Sequence, residues 1–153
     1  MKVFRLSKRK YASELNGKGA AKFGNRWNSK GTEIIYTAES RALAMAEIVV
    51  HLPLGNLPSD YVMIEIEIPE EVKISKLSPN DLSTDWNSHP PIQETQKIGD
   101  AFIDNMEFCV LKVPSAVVKG DYNYLINPYH RDLKKINILS IEEFPFDKRI
   151  FKA

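Results

Sequence analysis

Between Tyr61 and Ile68 the chain reads Tyr-Val-Met-Ile-Glu-Ile-Glu-Ile, with Ile64, Ile66 and Ile68 alternating with Glu65 and Glu67. A period of two puts the isoleucines on one side of an extended strand and the glutamates on the other. The segment therefore predicts a half-buried β-strand, which Pro69 ends. Such a strand needs neighbours to pair with and a layer over its apolar side. At 153 residues the chain is long enough for one such core and too short for two independent ones.

The rest of the chain supplies the neighbours. Val3 to Leu6 predicts a short opening strand, followed by a helical turn over Lys8 to Ala12. From Asn16 to Gly31 four glycines interrupt a stretch with no apolar period, which predicts a long loop. Phe23 and Trp27 within it need a surface to cover. Glu33 to Ala38 predicts a strand, Ser40 an N-cap, and Arg41 to Leu52 a helix stopped by Pro53. A strand over Val72 to Leu77, a cap at Ser78 before Pro79 and a helix over Ile92 to Met106 follow. Phe108 to Val113 is a strand, Asn127-Pro128 a helix start running to about Lys135, and Ile136 to Phe144 and Arg149 to Phe151 are late strands. Short strands in uneven alternation with helices predict a single α+β domain over residues 1–153, rather than a doubly wound parallel sheet or a barrel.

Charge and composition exclude several functions. Lys and Arg number 21 against 20 Asp and Glu, a net charge of +1, so no global field draws the chain onto a polyanion. Direct nucleic-acid binding is not expected, and only a local basic patch stays open. Cys109 is the one cysteine, which excludes an intrachain disulfide and fits a reducing, cytoplasmic setting. No apolar run suits a signal peptide or a membrane span. His51, His89 and His130 are scattered, so no metal site is expected. Gly17-Lys18-Gly19 starts like a phosphate-binding loop, but Phe23 and Gly24 stand where a helix should continue. Cys109 falls in an apolar strand pattern, where an inert buried thiol is expected.

What remains is a set of polar residues in unexpected places. Glu47 lies four residues after Leu43 and three before Val50, inside the apolar stripe of its helix. A carboxylate there is paired, protonated or at the wall of a cleft, and a structural ion pair is the alternative to a catalytic role. Arg26, between Asn25 and Trp27, could grip a phosphate or carboxylate, or be a solvated loop arginine. Tyr36, on the strand before the Glu47 helix, is a ligand contact or a core tyrosine. Ser115 ends a buried strand, as a site residue or a turn former. Asn127 is a ligand contact or a cap, and His51 and His130 are helix-surface or capping residues.

Taken in order, these residues carry a resemblance. Phe4-Arg5, Gly24-Asn25-Arg26-Trp27-Asn28-Ser29-x-Gly31, Tyr36-Thr37-Ala38, Ala42-Leu43-Ala44-x-Ala46-Glu47 and His51-Leu52 resemble the first half of the RES domain family. Trp86, Gln96-Lys97-Ile98-Gly99-Asp100, Val113-Pro114-Ser115-Ala116-Val117, Asn123-Tyr124-Leu125-Ile126-Asn127-Pro128-x-His130 and Phe146-Asp147-x-Arg149 follow as in its second half. The family is named for an arginine, a glutamate and a serine, which fall on Arg26, Glu47 and Ser115. The resemblance implies an ADP-ribosyltransferase-like fold of mixed or antiparallel sheets with several short helices. It also implies the toxin of a bacterial toxin–antitoxin pair, which destroys NAD by hydrolysis or phosphorolysis until an Xre-type antitoxin covers the site. NAD is then substrate rather than resident cofactor, inorganic phosphate a co-substrate if the cleavage is phosphorolysis, and no metal is expected. The implied catalytic residues are Glu47, Arg26 and Ser115; the implied substrate contacts are Arg26, Tyr36, Ser115 and Asn127.

That chemistry suits these side chains. Nicotinamide leaves NAD as a neutral molecule, so scission needs no acid on the leaving group, and a carboxylate such as Glu47 can stabilise the oxocarbenium-like transition state. Three other readings stay open: a non-catalytic nucleotide-binding module, a protein ADP-ribosyltransferase using the same site, and an RNA-cleaving toxin. Against the last stand the net charge and the lack of a basic–aromatic stripe along the chain. Self-association also stays open.

Overall fold

The alternating segment forms β3 (Tyr61–Glu67), which pairs antiparallel with β1 (Lys2–Lys8) from Lys2 opposite Glu67 to Lys8 opposite Tyr61. In the computed structural model, which describes residues 1–53 and 55–152, these are two of seven strands in one sheet. The others are β2 (Ile35–Ala38), β4 (Ile74–Lys76), β5 (Val110–Pro114), β6 (Tyr122–Ile126) and β7 (Asn137–Glu143). Their order is β4-β5-β6-β2-β1-β3-β7, and every pairing is antiparallel except β4 with β5. The helices are α1 (Lys18–Phe23), α2 (Arg41–Val49) and α3 (Gln93–Asn105). The expected single-domain α+β architecture is the one observed.

Strand alternation sorts the side chains onto two faces. Val3, Ile35, Ile64, Ile66, Val110, Tyr124 and Ile126 are buried on one. On the other, Phe4, Leu6 and Ala38 pack beneath Leu43 and Ala44 of α2, while Leu111, Val113 and Leu125 pack with Trp27 and with Ile103 of α3. Tyr36 sits against the second of these clusters and Ala38, two residues on, in the first, so the boundary between them runs across β2. That boundary is where the functional residues gather.

Four segments differ from the pattern read along the chain. β6 lies inside the sheet yet shows no strand signal, because Asp121, Tyr122 and Asn123 mask a run of only Tyr124, Leu125 and Ile126. The glycine-rich stretch contains α1, six residues with the Lys18 N–H donating to Asn16 Oδ1 (3.1 Å) and Gly24 at φ 74° closing it; one turn and a half is too short to show a period. The cap expected at Asn127 is supplied by His130, whose Nδ1 accepts from the Asp132 N–H at 3.0 Å and opens a 3-10 turn over Arg131–Lys135. Residues Lys148–Phe151 form a 3-10 turn rather than a strand, because the Asp147 carboxylate caps the Arg149 N–H at 2.9 Å.

Cys109 is 1% exposed, and burial pushes its thiol up to about 11. The native protein is expected to resist a disulfide-exchange reagent at about pH 8 and to react stoichiometrically once denatured. Fast labelling of the native protein would contradict this burial.

Candidate active site

Ser40 sets α2 in place: its side chain accepts the Leu43 N–H at 3.0 Å, the N-cap expected of it. With the helix register fixed, Glu47 falls four residues after the buried Leu43, on the inner side of the helix. Ser115, 4% exposed, follows β5 at the turn into β6, its own N–H donating to Asp121 O at 2.8 Å. The Ser115 hydroxyl accepts from the N–H groups of Val117 (3.1 Å) and Val118 (3.0 Å) and donates to Glu47 Oε1 (2.8 Å). A hydroxyl has one proton and two lone pairs. Both lone pairs are met by backbone donors, so the proton is directed at the carboxylate. Ser115 thus holds one oxygen of Glu47, and Glu47 Oε2 has no hydrogen-bond partner among the described residues.

Arg26 reaches the same place from the glycine-rich loop. Burial lowers its pKa, against the opposing effect of the Glu47 carboxylate. Its Nη1 donates to the carbonyls of Trp86 (3.0 Å) and Ser88 (2.9 Å), leaving the other edge of the guanidinium without a protein acceptor. Tyr36, on the boundary strand, anchors that loop: its hydroxyl donates to Asn28 Oδ1 at 2.6 Å and accepts the Trp27 N–H at 3.1 Å. Burial raises the Tyr36 phenol above its ordinary range, so it remains a neutral donor. Three of the residues singled out by their chemistry, Glu47, Arg26 and Ser115, therefore converge, with Tyr36 beside them.

Asn127 does not join them. The β5–β6 register runs from Val110 opposite Ile126 to Pro114 opposite Tyr122, so Ser115 and Asn127 lie at opposite ends of that pair, roughly 20 Å apart. The Asn127 side chain instead bonds Ile103 O (3.2 Å), Met106 Sδ (3.4 Å) and the Tyr129 N–H (2.9 Å), closing the end of α3. Its Oδ1 closes a local turn through Tyr129, ahead of the cap at His130. His51 and His89 are exposed. A cavity of about 480 Å³ also lies away from Glu47, at the Cys109 end of β5, with Lys73, His130 and Asp132 in its wall. Among the described residues no cluster of three metal-type side chains occurs, and no helix is long and apolar enough to cross a membrane.

The structure adds residues that motif reading did not assign. Asn28 is fully buried, and its amide donates to the carbonyls of Ala20 (2.9 Å) and Thr32 (3.0 Å), knitting the loop together. One face of α3 clamps the loop from below. Gln96 Nε2 donates to Asn25 O (3.1 Å), and Asp100 accepts the Ser29 N–H (3.0 Å) and hydroxyl (2.5 Å). Between them, Gly99 lets the Trp27 carbonyl approach so closely that a Cβ there would stand 1.5 Å from its oxygen. A glycine inside an otherwise periodic helix was the available signal for this contact.

Against known proteins, the model of the RES domain family matches residues 2–147. The chain is 38% identical to the Prs ADP-ribosylating toxin of Sphingobium sp. (strain YBL2), over 92% of this chain and 89% of that protein. It is 36% identical to a protein called Toxin Res from Photorhabdus laumondii subsp. laumondii, over 100% of this chain and 99% of the relative. Among solved structures, the crystal structure of the M. tuberculosis MbcT–MbcA toxin–antitoxin complex contains a chain that superposes with a TM-score of 0.75. That match has 18% sequence identity and covers 98% of this chain and 86% of the other, a likeness of fold.

Gly99→Ala is expected to cost about 1–3 kcal/mol and to strip hydrogen-exchange protection from the Asn28 and Ser29 amides, because the new methyl meets backbone that cannot yield. Gly19→Ala in α1, where the added methyl meets open space, serves as the control and should be neutral or slightly stabilising. Equal effects of the two substitutions on urea unfolding would contradict the clamp.

Proposed function

The chain belongs to the RES domain family, and from that footing we propose that it is the toxin of a bacterial toxin–antitoxin pair, which depletes NAD by breaking the bond between nicotinamide and ribose. The observation that carries this reading is the Glu47 carboxylate on the inner side of α2, held at one oxygen by Ser115 with Arg26 alongside. As the C1′–N bond of NAD breaks, its electron pair leaves with nicotinamide, which departs neutral, and positive charge develops on the ribose. A fixed carboxylate stabilises that charge. The oxygen of water or phosphate then bonds to C1′; water gives up a proton, which Glu47 can accept, whereas phosphate needs no base. The products are nicotinamide with ADP-ribose or its phosphate ester.

In this reading Ser115 aims Glu47 rather than touching the acceptor, since its one proton already goes to the carboxylate. The uncommitted edge of Arg26 takes the pyrophosphate, where a planar fork can bind two oxygens at once. The Tyr36 ring beside it contributes ~0.5–2 kcal/mol of cation–π attraction to the charged nicotinamide, lost when the ring becomes neutral. An Xre-type antitoxin silences the toxin by covering this cleft. A relative is named for ADP-ribosylation, which favours a second reading: the same bond breaks, and a protein side chain replaces water or phosphate at C1′.

Purified protein incubated with NAD, with and without phosphate, is expected to release nicotinamide, and the ribose-containing product identifies the acceptor. Glu47→Gln should slow release about a hundredfold or more. Ser115→Ala should slow it by about tenfold, through kcat more than KM, because it loosens a group that acts mainly in the transition state. A folded Glu47→Gln protein that releases nicotinamide at the parent rate would refute the assignment.

A further inference from the structure

The guanidinium of Arg26 is oriented by a stretch of chain that has little to hold it in place. Between Leu82 and Ile92, ahead of α3, the chain reads Ser83-Thr84-Asp85-Trp86-Asn87-Ser88-His89-Pro90-Pro91, in which Trp86 is the one large apolar side chain. Ser83, Thr84, Asp85, Asn87, His89 and Pro90 are exposed, while Trp86 and Ser88 are half-buried. Ordering such a polar segment costs entropy, and its own hydrogen bonds are few. The Ser83 N–H donates to Glu94 Oε1 of α3 (3.1 Å), the Trp86 N–H to Ser83 O (3.2 Å) and the Ser88 N–H to Asp85 O (3.0 Å). The Trp86 ring supplies the anchor. Its centre lies 6.2 Å from that of the buried Trp27 ring, with the planes at 34°, a separation at which aromatic rings attract.

What the anchored segment does for Arg26 is specific. Nη1 has two protons, and the carbonyls of Trp86 (3.0 Å) and Ser88 (2.9 Å) take one each. A guanidinium is planar and rigid, so fixing Nη1 also fixes the direction of the N–H groups on Nε and Nη2. Those groups have no acceptor among the described residues. The two carbonyls are neutral, and Arg26 forms no ion pair with a carboxylate among the described residues. A carboxylate in their place would point the fork equally well but would compete with an anionic ligand for its charge. Carbonyls orient the cation without cancelling it.

We propose that Trp86 is a positioning residue for Arg26: by anchoring residues 83–91 on Trp27 it keeps two carbonyls on Nη1 and aims the remaining donors at the anion that Arg26 binds. Identifying that anion as the pyrophosphate of NAD rests on the function proposed above, whereas the hold on the guanidinium does not. The pyrophosphate does not change charge as the C1′–N bond breaks, so an interaction with it serves ground state and transition state alike. Its loss therefore appears in KM. Trp86 and Ser115 thus divide the work, one aiming the group that binds and the other the group that acts in the transition state.

The test compares Trp86→Ala and Trp86→Phe in the full chain, each alone and combined with Arg26→Ala. Trp86→Ala is expected to raise the KM for NAD about tenfold with kcat within about threefold of the parent, and Trp86→Phe, which keeps a ring on Trp27, to recover most of the loss. Trp86→Leu takes the place of the alanine variant if that protein does not fold. In the Arg26→Ala protein the same substitution should change KM little, because no guanidinium is left to aim. A tryptophan that only supports the fold would lower the fraction of active protein, and so kcat, with KM unchanged; that outcome overturns the proposal. So does an equal rise in KM with and without Arg26, which would assign the ring directly to NAD. A second readout needs no turnover: the magnetic resonance signals of the Arg26 guanidinium in the free protein. The parent should show hindered rotation with separate Nη1 and Nη2 signals, and Trp86→Ala averaged ones. Unchanged signals in the folded variant overturn the proposal, whereas signals that respond as expected in a protein that releases no nicotinamide refute the NAD reading alone.

Discussion

The hydroxyl of Ser115 has one proton, and the backbone decides where it goes. The N–H groups of Val117 and Val118 occupy both of its lone pairs, so it donates to Glu47 and ties the turn after β5 to the inner side of α2. These two segments are 68 residues apart in the chain. A carboxylate on the apolar side of a helix is costly unless something meets its charge, and here a directed hydroxyl and the neighbouring Arg26 do so. The same arrangement leaves Glu47 Oε2 without a protein partner. Positioning and reactivity thus come from one hydrogen-bond geometry.

Arg26 shows the corresponding problem for a loop. Residues 24–29 have only a tight turn closed by the Asn25–Asn28 backbone bridge to hold them, and ordering a backbone residue costs about 1–2 kcal/mol. The protein offsets that cost with buried polar contacts: Asn28 at the centre, the Tyr36 hydroxyl from the sheet, and Gln96 and Asp100 from α3. Gly99 allows the helix close enough for those bonds to form. The result is an arginine whose base is fixed and whose guanidinium is gripped along one edge only. Tyr36 accordingly does two things in this account, anchoring the loop through its hydroxyl and presenting its ring beside Arg26.

Much of this was legible in the chain, for identifiable reasons. The isoleucine–glutamate alternation marked β3, Ser40 marked the start of α2, and the misplaced Glu47 pointed to a cleft wall, because each rests on local periodicity or capping. Arg26, Glu47 and Ser115 were also picked out by the family resemblance, and the fold brings them together. Other features depend on register between distant strands, which no local pattern encodes. β6 was hidden by its polar first half, and Asn127 could be separated from Ser115 only once the β5–β6 pairing set them at opposite ends.

The central claim is that NAD lies in the cleft between α2 and the glycine-rich loop, and a crystal structure of the Glu47→Gln protein with NAD tests it most directly. The account predicts the nicotinamide ribose against residue 47, the pyrophosphate on the free edge of Arg26 and the charged ring beside Tyr36. NAD seated elsewhere, for instance in the cavity beside His130, or absent while the Arg26 loop stays ordered, would contradict it.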